Sequence, residues 1–156
     1  YEPFRTTQTT VFQQSAPGRW EPGWHLDDET AGRSVVAADL DGDGDEDLVV
    51  GHNAGHLQVF ENVGVPTSHW VAVEVRRPGP NVFGVGCEVE VDAGAGGRRQ
   101  WIRANAAYLG NGPPVARFGL GKSAPESVSV SVRCPRTPTV ASVLAQADGT
   151  VTVSVP

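Results

Sequence analysis

The sequence predicts an all-β protein: one small antiparallel sheet followed by an antiparallel β-sandwich. Three observations carry this reading. Long stretches alternate apolar and polar residues with period two, as in His69–Arg76, Cys87–Asp92 and Ser127–Cys134. The 19 Gly and 12 Pro punctuate these stretches as turns every 8–12 residues, without a repeat period of their own. No segment keeps a helical period for three turns. Hydrophobic residues make up 39% of the 156, enough for a packed core.

The elements follow in order. Residues 1–33 are polar with weak periodicity. Thr9–Gln13 reads as a strand, the ordered first strand of the small sheet behind a frayed Thr- and Gln-rich tail. Pro17–Trp24 reads as a loop because of its Pro and Gly. Ser34–Leu40 and Asp47–Gly51 read as strands entering and leaving an acidic turn, and His56–Asn62 as a third after a turn at Asn53–Gly55. Gly64–Ser68 reads as a linker, which divides the chain into units at 1–64 and 65–156. Beyond it, His69–Arg76 places Val71, Val73 and Val75 on one face. Cys87–Asp92 does the same with Cys87, Val89 and Val91. Strands are expected at Arg99–Leu109, Val115–Leu120 and Ser127–Cys134. The last sets Val128, Val130, Val132 and Cys134 on one face. A closing hairpin is expected from Val140–Gln146, a turn at Asp148-Gly149, and Thr150–Val155.

Charge singles out one segment. Of 18 Asp and Glu, six fall between Asp39 and Asp47, and the remaining 12 match the 12 Lys and Arg. The chain is therefore not generally acidic, and it carries no basic footprint for nucleic acid. Asp39, Asp41 and Asp43 stand at alternate positions. Gly44 then permits a sharp left-handed turn, the carbonyl of Asp45 is placed to point inward, and Asp47 closes the ring. Ca²⁺ takes six to eight oxygens, and a curling loop supplies them with this spacing. Without a counter-ion, carboxylates so spaced repel one another. Mg²⁺ fits less well because it keeps more of its water. An EF-hand would need Glu at the twelfth position, where Val50 stands, and helices on both flanks. The reading is a β-flanked Ca²⁺ loop with Asp39, Asp41, Asp43, Asp45 and Asp47 as ligands and a structural ion.

The stretch Val35–Gly64 resembles an FG-GAP or VCBS-type repeat, a blade of a calcium-binding β-propeller, and the resemblance maps the same five aspartates onto the ligand positions. The second half resembles the ASPIC/UnbV domain. The matching residues are His69-Trp70, Pro80-Asn81, Phe83-Gly84-Val85-Gly86, Tyr108-Leu109 and Arg117-Phe118-Gly119-Leu120-Gly121. Val82 stands where that family usually has Arg, and Cys134-Pro135 where it usually has Trp-Pro. The resemblance implies an all-β architecture of one propeller-blade-like sheet plus a sandwich. It also implies secretion, calcium and binding or adhesion rather than catalysis. A lone blade exposes both faces, so packing on the sandwich or on partner chains is expected.

Cys87 and Cys134 fall on the apolar faces of their strands and are a candidate disulfide. His25, His52, His56 and His69 are scattered; His52 and His56 are four apart, but a strand–turn–strand setting is not expected to stack them. Trp20 and Trp24, in a Gly/Pro segment, are candidate contacts for a protein or glycan partner. Trp70 and Trp101 are expected in core or inter-unit packing, and Phe118 and Leu120 in the core, with Gly119 and Gly121 making tight turns. There is no nucleophile elbow, phosphate loop or zinc spacing, so no catalytic residues are assigned. No apolar run approaches the roughly 18 residues of a membrane span. The chain starts at Tyr1 and has no Met, which suggests a processed or partial chain. The resulting expectation is a secreted, calcium-binding, non-catalytic binding or scaffold module. The alternatives are a subunit of a multi-chain assembly and a calcium-dependent glycan-acting enzyme.

Overall fold

The computed structural model describes residues 9–25, 32–52, 56–64, 68–94, 96–104, 108, 110–137 and 139–156. Among these, all regular structure is strand, and no helix is long and apolar enough to cross a membrane.

The described residues open with a hairpin, β1 (Thr10–Ala16) and β2 (Arg19–His25), that forms a two-stranded sheet of its own. This corrects two expectations. Pro17–Trp24 is mostly strand, and β1 does not join the small sheet that follows. In a two-stranded ribbon both strands are edges, so Pro22 can lack its N–H without breaking a ladder. Gly18, at φ +75°, makes the tight turn. Trp24 meets Phe60 at 5.2 Å between ring centroids, tying the hairpin to the next sheet.

That sheet is β3 (Gly32–Ala38), β4 (Asp47–His52) and β5 (Leu57–Phe60), antiparallel in the order β3-β4-β5. Ala38 pairs with Asp47, so the acidic segment is the loop of a β-hairpin. The three strands and the acidic turn match the expected order. The turn at 53–55 and linker residues 65–67 lie outside the described residues.

The sandwich has two sheets. One runs β11 (Val140–Gln146), β10 (Ser127–Arg133), β7 (Glu88–Asp92), β8 (Gly97–Trp101). The other runs β12 (Gly149–Ser154), β6 (His69–Arg76), β9 (Val115–Gly121). Their inner faces meet through Val71, Val73, Val75, Val89, Val91, Val128, Val130 and Val132, all buried, together with Phe118 and Val153. These are the residues that period-two alternation assigns to one face. Cys87 and Cys134 are disulfide-bonded, one step beyond the Glu88–Arg133 pair that joins β7 to β10.

The expected C-terminal hairpin does not form: β11 and β12 lie in different sheets, and β12 runs parallel to β6. The cause is the turn between them. Asp148, at φ +57°, accepts from the backbone N–H of Trp70 at 3.2 Å and pairs with His69 Nδ1 at 2.8 Å. It thereby anchors the start of β12 beside the start of β6. The Arg99–Leu109 strand shortens to β8, and residues 105–107 and 109 lie outside the described residues. Trp101, expected in packing, is 54% exposed on this edge strand. Edge strands β8 and β9 are closed by side chains rather than pairing: Arg98 donates to the Gly119 carbonyl and Gln100 to that of Arg117. Gly119 is therefore a mid-strand residue and not a turn; Gly121, at φ +81°, ends the strand.

Candidate metal centre

The acidic loop is shaped by its own backbone. Asp39 Oδ1 accepts from the Gly42 N–H at 2.7 Å, Asp41 Oδ1 from Asp43 at 3.1 Å, and Asp43 Oδ1 from Asp45 at 3.0 Å. Each aspartate thus turns the chain at its own position. Gly42 and Gly44 sit at φ +85° and +98°, where a side chain would be strained. The expected left-handed turn at Gly44 is joined by a second at Gly42.

This curl brings three carboxylates together. One oxygen from each of Asp39, Asp41 and Asp43 lies within 4.8 Å of the others. Two oxygens on opposite sides of an ion at about 2.3–2.6 Å would stand about 5 Å apart, so the donor type and spacing suit a hard divalent cation. The other two sequence-predicted ligands are placed differently. Asp47 is 3% exposed, and its carboxylate accepts from the Leu40 and Asn62 N–H groups, both at 2.9 Å. Those two bonds, Asn62 first, hold its pKa below the ordinary carboxylate value. Asp47 here staples both ends of the loop to the segment that follows β5. Asp45 lies over Gly64, and its Oδ1 is buried without a hydrogen-bond partner. Desolvation, followed by the charges of Asp43, Asp47, Asp41 and Asp39, raises its pKa. A buried acceptor with no donor is what a cation, or a proton, would satisfy.

The sandwich touches the loop directly. Trp70 and Ala72 face away from the sandwich core, opposite Gly119 and Arg117 in the register of β6 and β9. Arg117 Nη1 meets Asp39 Oδ2 at 3.0 Å, with the two side chains only 18% and 6% exposed. Arg117 Nε lies 3.9 Å from Glu46. The Trp70 ring packs so closely on Gly44 that an added Cβ would overlap it at 1.9 Å. Ala72 is fully buried on this outward face. Between loop and sandwich runs an open cleft of about 860 Å³ that includes Asp43, Asp45, Trp70, Arg117 and Asp148. The sequence placed Trp70 in core or inter-unit packing, of which the second is found, but gave Arg117 no role of its own. Its one signal is its position at the head of the Arg117–Gly121 motif.

His69 lines this cleft, whereas Trp20, Trp24, His52 and His56 do not. Trp20 is 61% exposed and Trp24 39%. His52 and His56 do stack, at 4.7 Å between centroids, contrary to expectation, because the ladder of β4 and β5 brings the two ends of the turn together. His52 is also bonded to Gln58 at 2.8 Å.

Comparison with known families bears directly on both halves. The FG-GAP repeat matches residues 31–60. The ASPIC and UnbV pattern matches residues 77–155, half of the chain. The chain belongs to the ASPIC and UnbV family. Arg117, Trp70 and the acidic loop thus lie where an FG-GAP repeat meets an ASPIC and UnbV unit. Among curated proteins the chain is similar to cartilage acidic protein 1 of Homo sapiens, at 35% identity over 114 residues. It is similar to the same-named proteins of Mus musculus at 34% and Xenopus tropicalis at 31%. Each alignment covers 70% of this chain but only 17% or 18% of the relative. The chain therefore spans less than a fifth of the length of the curated relatives it matches.

Proposed function

We propose that this chain is an extracellular, calcium-binding, non-catalytic module whose ion stabilises the FG-GAP blade and whose surface serves binding or scaffolding. One observation carries the calcium reading: carboxylate oxygens of Asp39, Asp41 and Asp43 within 4.8 Å, on a loop already curled by Gly42 and Gly44. All three donors are hard oxygens, as Ca²⁺ prefers. The orphaned Asp45 Oδ1 adds a fourth acidic oxygen beside the loop. When bound, the ion would supply charge neutralisation and loop rigidity. The buried Cys87–Cys134 bond supports an oxidising, extracellular setting, as does similarity to a protein named for cartilage. The ligands for a protein or glycan partner would include exposed Trp20 and Trp24.

Limited proteolysis in Ca²⁺ and in EGTA tests this reading. Residues 34–63 are expected to be cut well before the sandwich when Ca²⁺ is removed. Equal resistance of that segment in both conditions would sink it.

A second reading, a subunit of a larger assembly, is favoured by the apolar surface of β5: Leu57 is 71% and Val59 58% exposed. Light scattering after size exclusion separates the two; a strict monomer counts against assembly.

A further inference from the structure

We infer that the sandwich completes the cation site: Arg117 is a positioning residue for Asp39 and, together with Trp70, couples occupancy of the acidic loop to docking of the sandwich on the blade. This inference rests on the calcium reading above and adds to it a residue from the other unit.

Of the three clustered carboxylates, that of Asp39 is the one tied to both the loop and the sandwich. Its Oδ1 accepts from Gly42 within the loop and its Oδ2 from Arg117 on β9. The first bond fixes the carboxylate to the loop, and the second fixes it to the sandwich. A carboxylate has about four lone-pair sites, so these two bonds leave room for a cation. The Asp39 side chain is 6% exposed, so without Arg117 its Oδ2 would lose its charged partner in a largely enclosed position. It would then turn outward, away from Asp41 and Asp43. Arg117 is held in turn by β9, whose register sets it opposite Ala72. Trp70, two residues before Ala72 on the same face, presses on Gly44.

The loop is thus gripped at its first ligand and at its second glycine by one sheet of the sandwich. Two opposing effects act on affinity. The guanidinium charge repels a cation, whereas its bond holds a ligand in place. Partners behind metal ligands are typically worth 10–100-fold in affinity. The positioning effect dominates here because Arg117 is already neutralised by Asp39 and lies near Glu46. Coupling of binding free energies is reciprocal, so Ca²⁺ must tighten docking as much as docking tightens Ca²⁺.

Calorimetric titration with Ca²⁺ of the whole chain tests this, using wild type, Arg117→Ala and Arg117→Lys, with tryptophan fluorescence followed in parallel. Affinity is expected to fall about 10–100-fold in Arg117→Ala. In Arg117→Lys, which keeps the charge but not the fork, it should recover in part. The tryptophan fluorescence response to Ca²⁺, to which Trp70 on Gly44 contributes, should shrink with the affinity. Should Arg117→Ala fail to fold, the Lys variant carries the test, with affinity below wild type expected. Arg117 variants that bind Ca²⁺ as tightly as wild type or more so, with an unchanged fluorescence response, would overturn the inference and leave the calcium reading standing. A wild-type chain that takes up no Ca²⁺ would overturn both.

Discussion

Breaking the bond between Cys87 and Cys134 is expected to destabilise the sandwich by about 4 kcal/mol. The two cysteines are 47 residues apart in sequence. Tying such a pair removes loop-closure entropy from the unfolded chain, and for a loop of this length that amounts to about 4 kcal/mol at 25 °C. Both residues are buried, at 0% and 3% exposure, and they prolong the β7–β10 pairing. Reduction keeps both sulfur atoms in the core and adds only two thiol hydrogens, so comparing oxidised with reduced wild type isolates the cross-link from any cavity. With a urea slope of about 2 kcal/mol/M, the midpoint should drop by roughly 2 M in dithiothreitol. Double substitution to Ala should cost more, because two buried sulfur atoms are also lost. A reduced protein whose midpoint moves by no more than about 0.5 M would refute the reasoning. It would mean that the unfolded chain already holds β7 and β10 near one another.

Other changes give separable outcomes. Gly42 and Gly44 share a positive φ, but only Gly44 faces a ring: an added Cβ meets nothing at Gly42 and lies 1.9–2.4 Å from Trp70 atoms at Gly44. Gly42→Ala should cost about 1–2 kcal/mol from backbone strain, and Gly44→Ala clearly more, with altered tryptophan fluorescence; equal costs by urea titration would deny the Trp70 contact. Asp148 has its pKa lowered, chiefly by the hydrogen bond from His69. A lowered folded pKa gives stability that is present above the ordinary carboxylate value near pH 4 and lost as the pH falls through the folded value. The urea midpoint should therefore decline on acidification below about pH 4, and Asp148→Asn should flatten that decline; an unchanged acid limb in the variant would count against the His69–Asp148 pair.

The parts of the fold legible in the sequence are those set by local pattern. Val71, Val73 and Val75 alternate, and they are buried as alternation requires. The acidic loop was legible because carboxylates at every second position followed by Gly serve few purposes. What pattern could not reveal depends on long-range partners. Asp148 reads as a hairpin turn, yet its bonds to His69 and Trp70, 79 and 78 residues away, send β12 to the other sheet. Trp101 reads as core or inter-unit packing because it lies in a strand region, but β8 is an edge strand and leaves it 54% exposed. Pro22 reads as a loop residue because sequence does not say that β1 and β2 stand alone. Asp47 reads as a ligand by spacing, and its hydrogen bonds from Leu40 and Asn62, which leave further lone pairs on the carboxylate, depend on the chain beyond β5 and were not legible. Arg117 is one of 12 cationic residues, and nothing local marks it as the one that reaches Asp39.

The most direct test of the calcium account is thermal unfolding of the whole chain in Ca²⁺ and in EGTA, with Asp43→Ala alongside. At a thousandfold excess over Kd, binding to the native state adds about 4 kcal/mol. The account predicts a midpoint that rises in Ca²⁺ for wild type and stays put for Asp43→Ala. An identical midpoint for wild type in Ca²⁺ and in EGTA, with no calcium found in the purified protein, would contradict it.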